Sequence, residues 1–434
     1  MNKRRTVKLG DEIDLLTGFP FESKSYSTKI DDIKLLRGDN IAQGNFRWDD
    51  VKRWPKTEIE SYQSYQLQEN DVVLAMDRPW IGAGLKFSTV SKRDLPCLLV
   101  QRTARMRGRD NLDNRYLKYV VGSPWFSKYI QKITTGSLVP HISSKQIKEF
   151  SFDLPPLTEQ QKIASVLSAI DAKIELNNRI NAELEAMAKT LYDYWFVQFD
   201  FPFDFASCPE RSRREGKSTA NGKPYKSSGG KMVYNPTLKR EIPVGWEAKP
   251  LSSITNVSND SLNPADTPEK AFKHFSIPVF DATNTYGVEL GGTIGSNKFT
   301  VEKTDLLVSK LNPWFNRVVY AMDEEDQICS TEFVVWRSPN TQIMNFLYLI
   351  ATSSQFIAHC TQSATGTSNS HKRVNPNVMM RFMQPFNNES AELFGQIVEP
   401  VLKQLIVNQR ENTKLASLRD WLLPMLMNGQ VTVK

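Results

Sequence analysis

One spacing pattern limits what this chain can fold into. Ile163, Leu167, Ile170, Ile174, Asn177, Asn181, Leu184, Ala188, Leu191 and Trp195 follow one another at alternating steps of four and three, the heptad period of a helix that packs along a partner helix. Pro155 and Pro156 hold the preceding backbone extended, Thr158 stands where an N-cap belongs, and Gln161 where a capping box places its reciprocal partner, so a long helix is expected from near Thr158. Two successive seam positions are asparagine. Buried amides in an apolar seam cost stability but fix register and partner, so the partner helix should carry matching amides.

That partner lies further along the chain. Adding 231 to each seam position gives Phe394, Val398, Val401, Leu405, Asn408, Asn412, Leu415, Arg419, Leu422 and Leu426, and the asparagine pair recurs in register. The duplication extends upstream. Asn70 to Leu74 followed by Pro79-Trp80 matches Thr304 to Val308 followed by Pro313-Trp314, Cys97 matches Cys329, and Leu117 to Ile130 matches Leu347 to Cys360. Thr135-Gly136-Ser137 with His141 matches Thr365-Gly366-Thr367 with His371. The second helix departs from the first in three respects: Pro400 should kink it, Arg419 replaces an apolar seam residue, and its flank Phe386-Asn387-Asn388-Glu389 lacks the double proline.

The expected fold is therefore α+β: two globular mixed α/β domains separated by two long helices forming an antiparallel coiled coil, with a pseudo-two-fold internal repeat. The segments are a domain over 1–155, a spacer helix over 156–199, a flexible basic connector over 200–241, a second domain over 242–386 and a second spacer helix over 387–428. Asp71 to Ala75 reads as a buried strand. The run Leu98 to Met106 alternates Arg102 against Arg105 and reads as a strand with a basic face. Residues 207–231 carry seven basic and two acidic side chains and little to bury, which fits a solvated connector.

Hydrophobic content of 40% and aromatic content of 10% indicate folded domains, and the net charge of +7 is compatible with a nucleic-acid partner. No run of about 18 apolar residues occurs, so no membrane partner is expected and a cytoplasmic location is. Cys97, Cys208, Cys329 and Cys360 lie far apart without a CxxC pair, so they are expected to be reduced and mostly buried, with no metal site.

Catalytic patterns fail when tested. Asn312-Pro313-Trp314-Phe315 lacks the second proline of the loop by which amino-methyltransferases hold a flipped adenine. Gly216-Lys217-Ser218-Thr219 lacks the leading glycine of a phosphate-binding loop, Arg211 standing there instead. His141, His274, His359 and His371 have no metal-ligand spacing. The chain is expected to have no catalysis and no cofactor of its own. What remains is a pair of basic, loop-rich domains on a helix of about 40 residues, roughly 60 Å long at about 1.5 Å per residue, the geometry of a protein that reads two half-sites at fixed separation. Side chains suited to base edges and phosphates are Arg78, Lys86, Arg102, Arg105, Ser137, His141 and Lys145 in the first half. The second half offers Lys310, Asn312, Arg317, Thr367, His371, Lys372 and Arg373. For each of these singly, a solvated surface role is the more ordinary reading.

The stretch LPPLTEQQKIASVLSAIDAKIELN, continued by LEAMAKTLYDYWFVQFDFP, together with the repeated layout, resembles a specificity (S) subunit of a type I restriction-modification system. The resemblance implies that each globular domain is a target-recognition domain for half of a split asymmetric double-stranded DNA sequence. It also implies that the helices set the spacer and dock two methyltransferase (modification) subunits, with restriction/translocase subunits joining the complex. S-adenosylmethionine, ATP and Mg would then sit on those partner subunits. A solitary restriction enzyme and a purely structural coiled-coil protein are the rival classes.

Overall fold

The computed structural model describes residues 4–81, 84–134, 140–203, 222–366 and 371–433. It divides into two units, 1–173 with 415–434 and 174–414. The division falls inside both long helices.

In the first unit the strands β1 (Ile13–Thr17), β2 (Val72–Ala75), β3 (Phe87–Thr89) and β4 (Thr103–Gly108) form an antiparallel sheet in the order β1-β4-β2-β3. The central strand β2 is fully buried because each face has its own partner. Val72 and Leu74 join Leu117, Val120 and Phe126, which belong to the helices α1 (Asn114–Val121) and α2 (Pro124–Ile133). Val73 and Ala75 join Leu36, Cys97 and Leu99 of a three-stranded sheet in which Ile33–Leu36 runs parallel to Cys97–Leu99. Burying each such aliphatic side chain contributes about 1.5–3 kcal/mol. Asp113 caps α1 by accepting from the amides of Arg115 and Tyr116, and Ser123 caps α2 by accepting from Phe126. Arg5–Lys8 pairs with Ser151–Leu154 and ties the start of this unit to the residues just before α3 (Leu157–Tyr192).

The second unit repeats this plan. Its strands β5 (Asn256–Ser258), β6 (Leu306–Ser309), β7 (Val318–Tyr320) and β8 (Phe333–Arg337) take the order β5-β8-β6-β7. Leu306 and Val308 pack with Phe346 and Leu347, while Leu307 packs with Phe275 and Cys329 across a five-stranded sheet in which Ala271–Phe275 is parallel to Gln327–Cys329. The helices α4 (Thr341–Ala351) and α5 (Ser354–Gln362) are capped by Asn340 and Ser353, and Glu247–Pro250 pairs with Met383–Phe386 ahead of α6 (Asn388–Met427). Cys97, Cys329 and Cys360 are buried free thiols, pushed up to about 12 by burial at Cys97 and Cys360. Cys208 and the Gly216-Lys217-Ser218-Thr219 run lie outside the described residues.

Three local expectations change. Helix α3 begins at Leu157, and it is the carbonyl of Pro156 that accepts from the amides of Glu159 and Gln160. The fully buried Gln160, not a Thr158–Gln161 box, anchors this end: its amide donates to the carbonyls of Pro155 and Asn111 at 2.8 Å and accepts from the backbone of Asp113 at 3.0 Å. At the start of α6 the Asn387 side chain caps by accepting from the amide of Ser390 at 3.0 Å, and the helix runs on through Pro400. The stretch expected to be a connector is built at both ends. Phe199, Phe201, Phe203 and Tyr225 are buried with Trp246, and Met232–Asn235 pairs with Arg240–Pro243. Phe199, Phe201 and Phe203 alternate at the two-residue strand period, but their partners Tyr225 and Trp246 lie more than 20 residues further on, so local periodicity does not reveal the cluster.

Candidate nucleic-acid interface

After the central strand, each unit makes the same elbow. Met76 donates to the carbonyl of Arg102 at 2.9 Å, Ile142 donates to Met76 at 3.0 Å, and Arg78 donates to Pro140 at 2.6 Å. Lys310 donates to Glu332 at 2.9 Å, Val374 to Lys310 at 3.0 Å, and Asn312 to Lys372 at 2.7 Å. Arg78 and Asn312 thus occupy the same position, and both are left-handed, with φ of 44° and 48°. For a non-glycine residue this conformation costs on the order of 1–3 kcal/mol and persists where the surroundings impose it. Asparagine tolerates it better than arginine. The backbone bridges put Asp77 opposite His141 and Leu311 opposite Arg373. Arg373, not His371, is therefore the counterpart of His141, so the sequence repeat and the structural repeat differ by two residues here.

A small ion cluster sits at each elbow, with its charges rearranged. In the first unit Asp77 accepts from Arg102 at 2.8 Å and faces Nδ1 of His141 at 2.6 Å. Burial alone would raise the Asp77 carboxyl, and its bonds to His141 and Arg102 more than reverse that. The Arg102 side chain stays 68% exposed. In the second unit the acid is Glu332, at the position equivalent to Arg102, and it takes both arms of Arg373 at 2.9 and 3.0 Å. That pairing raises the Arg373 guanidinium further.

The remaining candidates divide by surroundings. Arg78, Lys145, His371 and Arg373 are exposed, and His141, Lys310 and Lys372 are half-exposed. Lys86 is half-buried, and burial pulls its ammonium below the ordinary lysine range. Asn312 is 7% exposed, its side-chain oxygen accepting from the amide of Lys372 at 3.0 Å. Arg317 clasps Asp281 at 2.5 and 2.8 Å over the Phe315 ring and keeps 10% of its side chain exposed. Arg105 is 5% exposed and paired with Asp14, so it is not presented at the surface. The basic face expected along β4 is in fact neutralised: Arg102 lies in the turn before the strand, and Arg107 pairs with the buried Asp71. Ser137 and Thr367 lie outside the described residues. Sequence reading missed the acids Asp14, Asp71, Asp77, Asp281 and Glu332. No periodicity marks them, because their partners come from other strands.

A second cluster lies where the helices meet in the 174–414 unit. Asn177 donates to the side-chain oxygen of Asn412 at 2.9 Å and to Glu411 at 2.7 Å. Asn408 donates to Asn181 at 2.8 Å, and Asn181 donates to the carbonyl of Leu405 at 3.3 Å. Ascending numbers on one helix meet descending numbers on the other, so the segments are antiparallel. Asn408 and Asn412 stand 231 residues after Asn177 and Asn181, so exchanging the helix copies converts one amide pair into the other, as a two-fold relation requires. In the first unit Arg419 is not a gap in an apolar seam. It donates to Asp171 at 3.0 Å, beside Lys118 and the Tyr119 hydroxyl on the same carboxylate.

Residues 5–186 match the family model described as the type I restriction modification DNA specificity domain. That match covers the first repeat and 42% of the chain. Relatives of the specificity domain include the type I restriction enzyme EcoAI specificity subunit of Escherichia coli, 36% identical over 184 residues, 42% of this chain and 30% of that protein. The MjaVIII specificity subunit of Methanocaldococcus jannaschii is 29% identical over 186 residues, 43% of each chain. The chain thus spans less than half the length of these two. The MjaIX specificity subunit of the same organism is 25% identical over 339 residues, 75% of this chain and 71% of that one. The fold is shared with the crystal structure of the type I restriction-modification S subunit from M. genitalium, with a TM-score of 0.55 at 14% identity over 98% of this chain and 96% of that one. Among the described residues no helix is long and apolar enough to cross a membrane.

Proposed function

We propose that this chain is the specificity subunit of a type I restriction-modification complex, reading a bipartite, asymmetric DNA target with one half per repeat and performing no catalysis itself. One observation carries the reading. The same elbow occurs in both units with different chemistry: Asp77, Arg78, Arg102 and His141 in one; Leu311, Asn312, Glu332 and Arg373 in the other. A common scaffold with unlike side chains is what an asymmetric pair of half-sites calls for. Exposed arginine suits guanine O6 and N7 in the major groove, and the flanking Lys145 and Lys372 suit phosphate oxygens. Arg105, Asn312 and Arg317 serve as supports that shape these loops.

The helices in this reading set the separation of the half-sites, their amides holding register. Large apolar side chains remain exposed on the outer faces, Leu176 and Met187 on α3 and Ile397 and Val407 on α6. Spacings of ten to eleven residues keep each pair on one helix face, a surface suited to methyltransferase subunits. Restriction/translocase subunits then join the complex, and S-adenosylmethionine, ATP and Mg belong to those partners. The test is to map methylated bases in cells carrying this chain with its methyltransferase. A split motif with a fixed unread spacer is expected. Methylation without sequence preference, or methylation by the purified chain alone, would overturn the reading.

A further inference from the structure

An exposed tryptophan stands at the same place in both units. Trp80 and Trp314 are each 38% exposed, beside Ile81 at 39% and Phe315 at 58%. Each follows a proline, and each proline follows the left-handed residue of the elbow. Core packing does not account for them, since both indoles keep more than a third of their surface outside. Their base is stiff. Proline fixes φ, and the elbow is tied down by Arg78 donating to Pro140 at 2.6 Å and by Asn312 holding Lys372 through both its backbone and its side chain. Basic residues share these loops: Arg78 and Lys86, the latter donating its amide to Pro79 at 2.7 Å, in the first unit, and Lys372, tied to Asn312, with Arg373 paired to Glu332 beside it, in the second. An apolar tip on a rigid, positively charged loop is complementary to a stacked, anionic duplex.

We propose that Trp80 and Trp314 are twin wedges, each inserting against a base step in one half of the DNA target. This rests on the DNA-reading role proposed above and adds to it a deformation of the duplex. Apolar wedges partially unstack a step and kink the helix by about 20–90°. Stacking on an indole tolerates any base, so the same residue can serve in both repeats while the neighbouring side chains differ.

The test uses the full chain with its methyltransferase subunits and a duplex carrying the mapped target, labelled at its two ends for energy transfer. Trp80→Ala and Trp314→Ala should each raise Kd about tenfold and each lengthen the end-to-end distance part-way, with the double variant doing both. Trp80→Tyr and Trp314→Tyr should stay near the parent, which separates lost stacking from lost folding. The slope of log affinity against log salt should not change, because phosphate contacts remain. Unchanged affinity and distance in both alanine variants would overturn the wedge alone. So would a loss confined to assembly with the methyltransferase, which would make these aromatics protein contacts. A parent complex with no target-specific binding would instead overturn the DNA-reading role itself.

Discussion

Replacing Arg107 by alanine should destabilise the first unit far more than any change at the exposed cations of its elbow. Asp71 is 1% exposed and opens the central strand β2. Its carboxylate accepts from Nε and Nη2 of Arg107, the latter at 2.9 Å, and from the amide of Gln68 at 2.7 Å. Without Arg107 two charge-assisted bonds vanish and a carboxylate is left in a closed site, which costs about 3–5 kcal/mol. For a unit of this size, at about 2–4 °C per kcal/mol, the corresponding drop is roughly 6–20 °C in its melting temperature. Arg102→Ala removes a pair whose arginine is 68% exposed, and exposed pairs contribute about 0–1 kcal/mol. Differential scanning calorimetry of the two variants distinguishes the cases, and salt-dependent DNA binding should show the reverse order, with Arg102→Ala weakened and Arg107→Ala, where still folded, little changed. A drop under about 3 °C for Arg107→Ala would refute the argument that this arginine is structural. The second unit offers an internal control, because Arg337 clasps the equally buried Asp305 at 2.8 and 2.9 Å in the same place.

Inserting four residues between positions 176 and 182 should lengthen the unread spacer and leave both half-sites unaltered, as read by methylation mapping; altered half-site bases would show that the helix is not the ruler. Asn408→Leu alone strands the buried side-chain oxygen of Asn181, at a cost of about 1–3 kcal/mol, whereas Asn181→Leu with Asn408→Leu should recover that cost in denaturant unfolding; simple additivity would mean the amides are not coupled. Burial alone would raise the Asp171 carboxyl, but Lys118, Arg419 and Tyr119 hold it below the usual carboxylate range. Its contribution to the first unit is therefore full above the unfolded carboxylate pKa, near 4, and is lost as pH falls through the lower folded value. Asp171→Asn should flatten the acid limb of a stability–pH curve of the first unit, and an unchanged acid limb would count against the Lys118–Asp171–Arg419 cluster.

The long helices and their amide register were legible from residue order because a heptad seam is a local property: every fourth and third side chain lies on one face whatever the rest of the chain does. The duplication was legible for the same reason, as Asn177 and Asn181 reappear at Asn408 and Asn412 without any knowledge of contacts. The resemblance to type I specificity subunits rested on the same stretch. What only the tertiary structure decided is the fate of each charge. Arg102, Arg105 and Arg107 look alike in sequence, yet one is exposed beside Asp77, one is buried against Asp14 and one is locked to Asp71. Their partners arrive from strands or loops 25 to 91 residues away, and no local pattern encodes such distances. The aromatic cluster around Trp246 and the exposure of Trp80 and Trp314 were hidden likewise. Whether a large ring is core or surface depends on what the rest of the chain brings against it, and that is settled only when the chain has closed on itself.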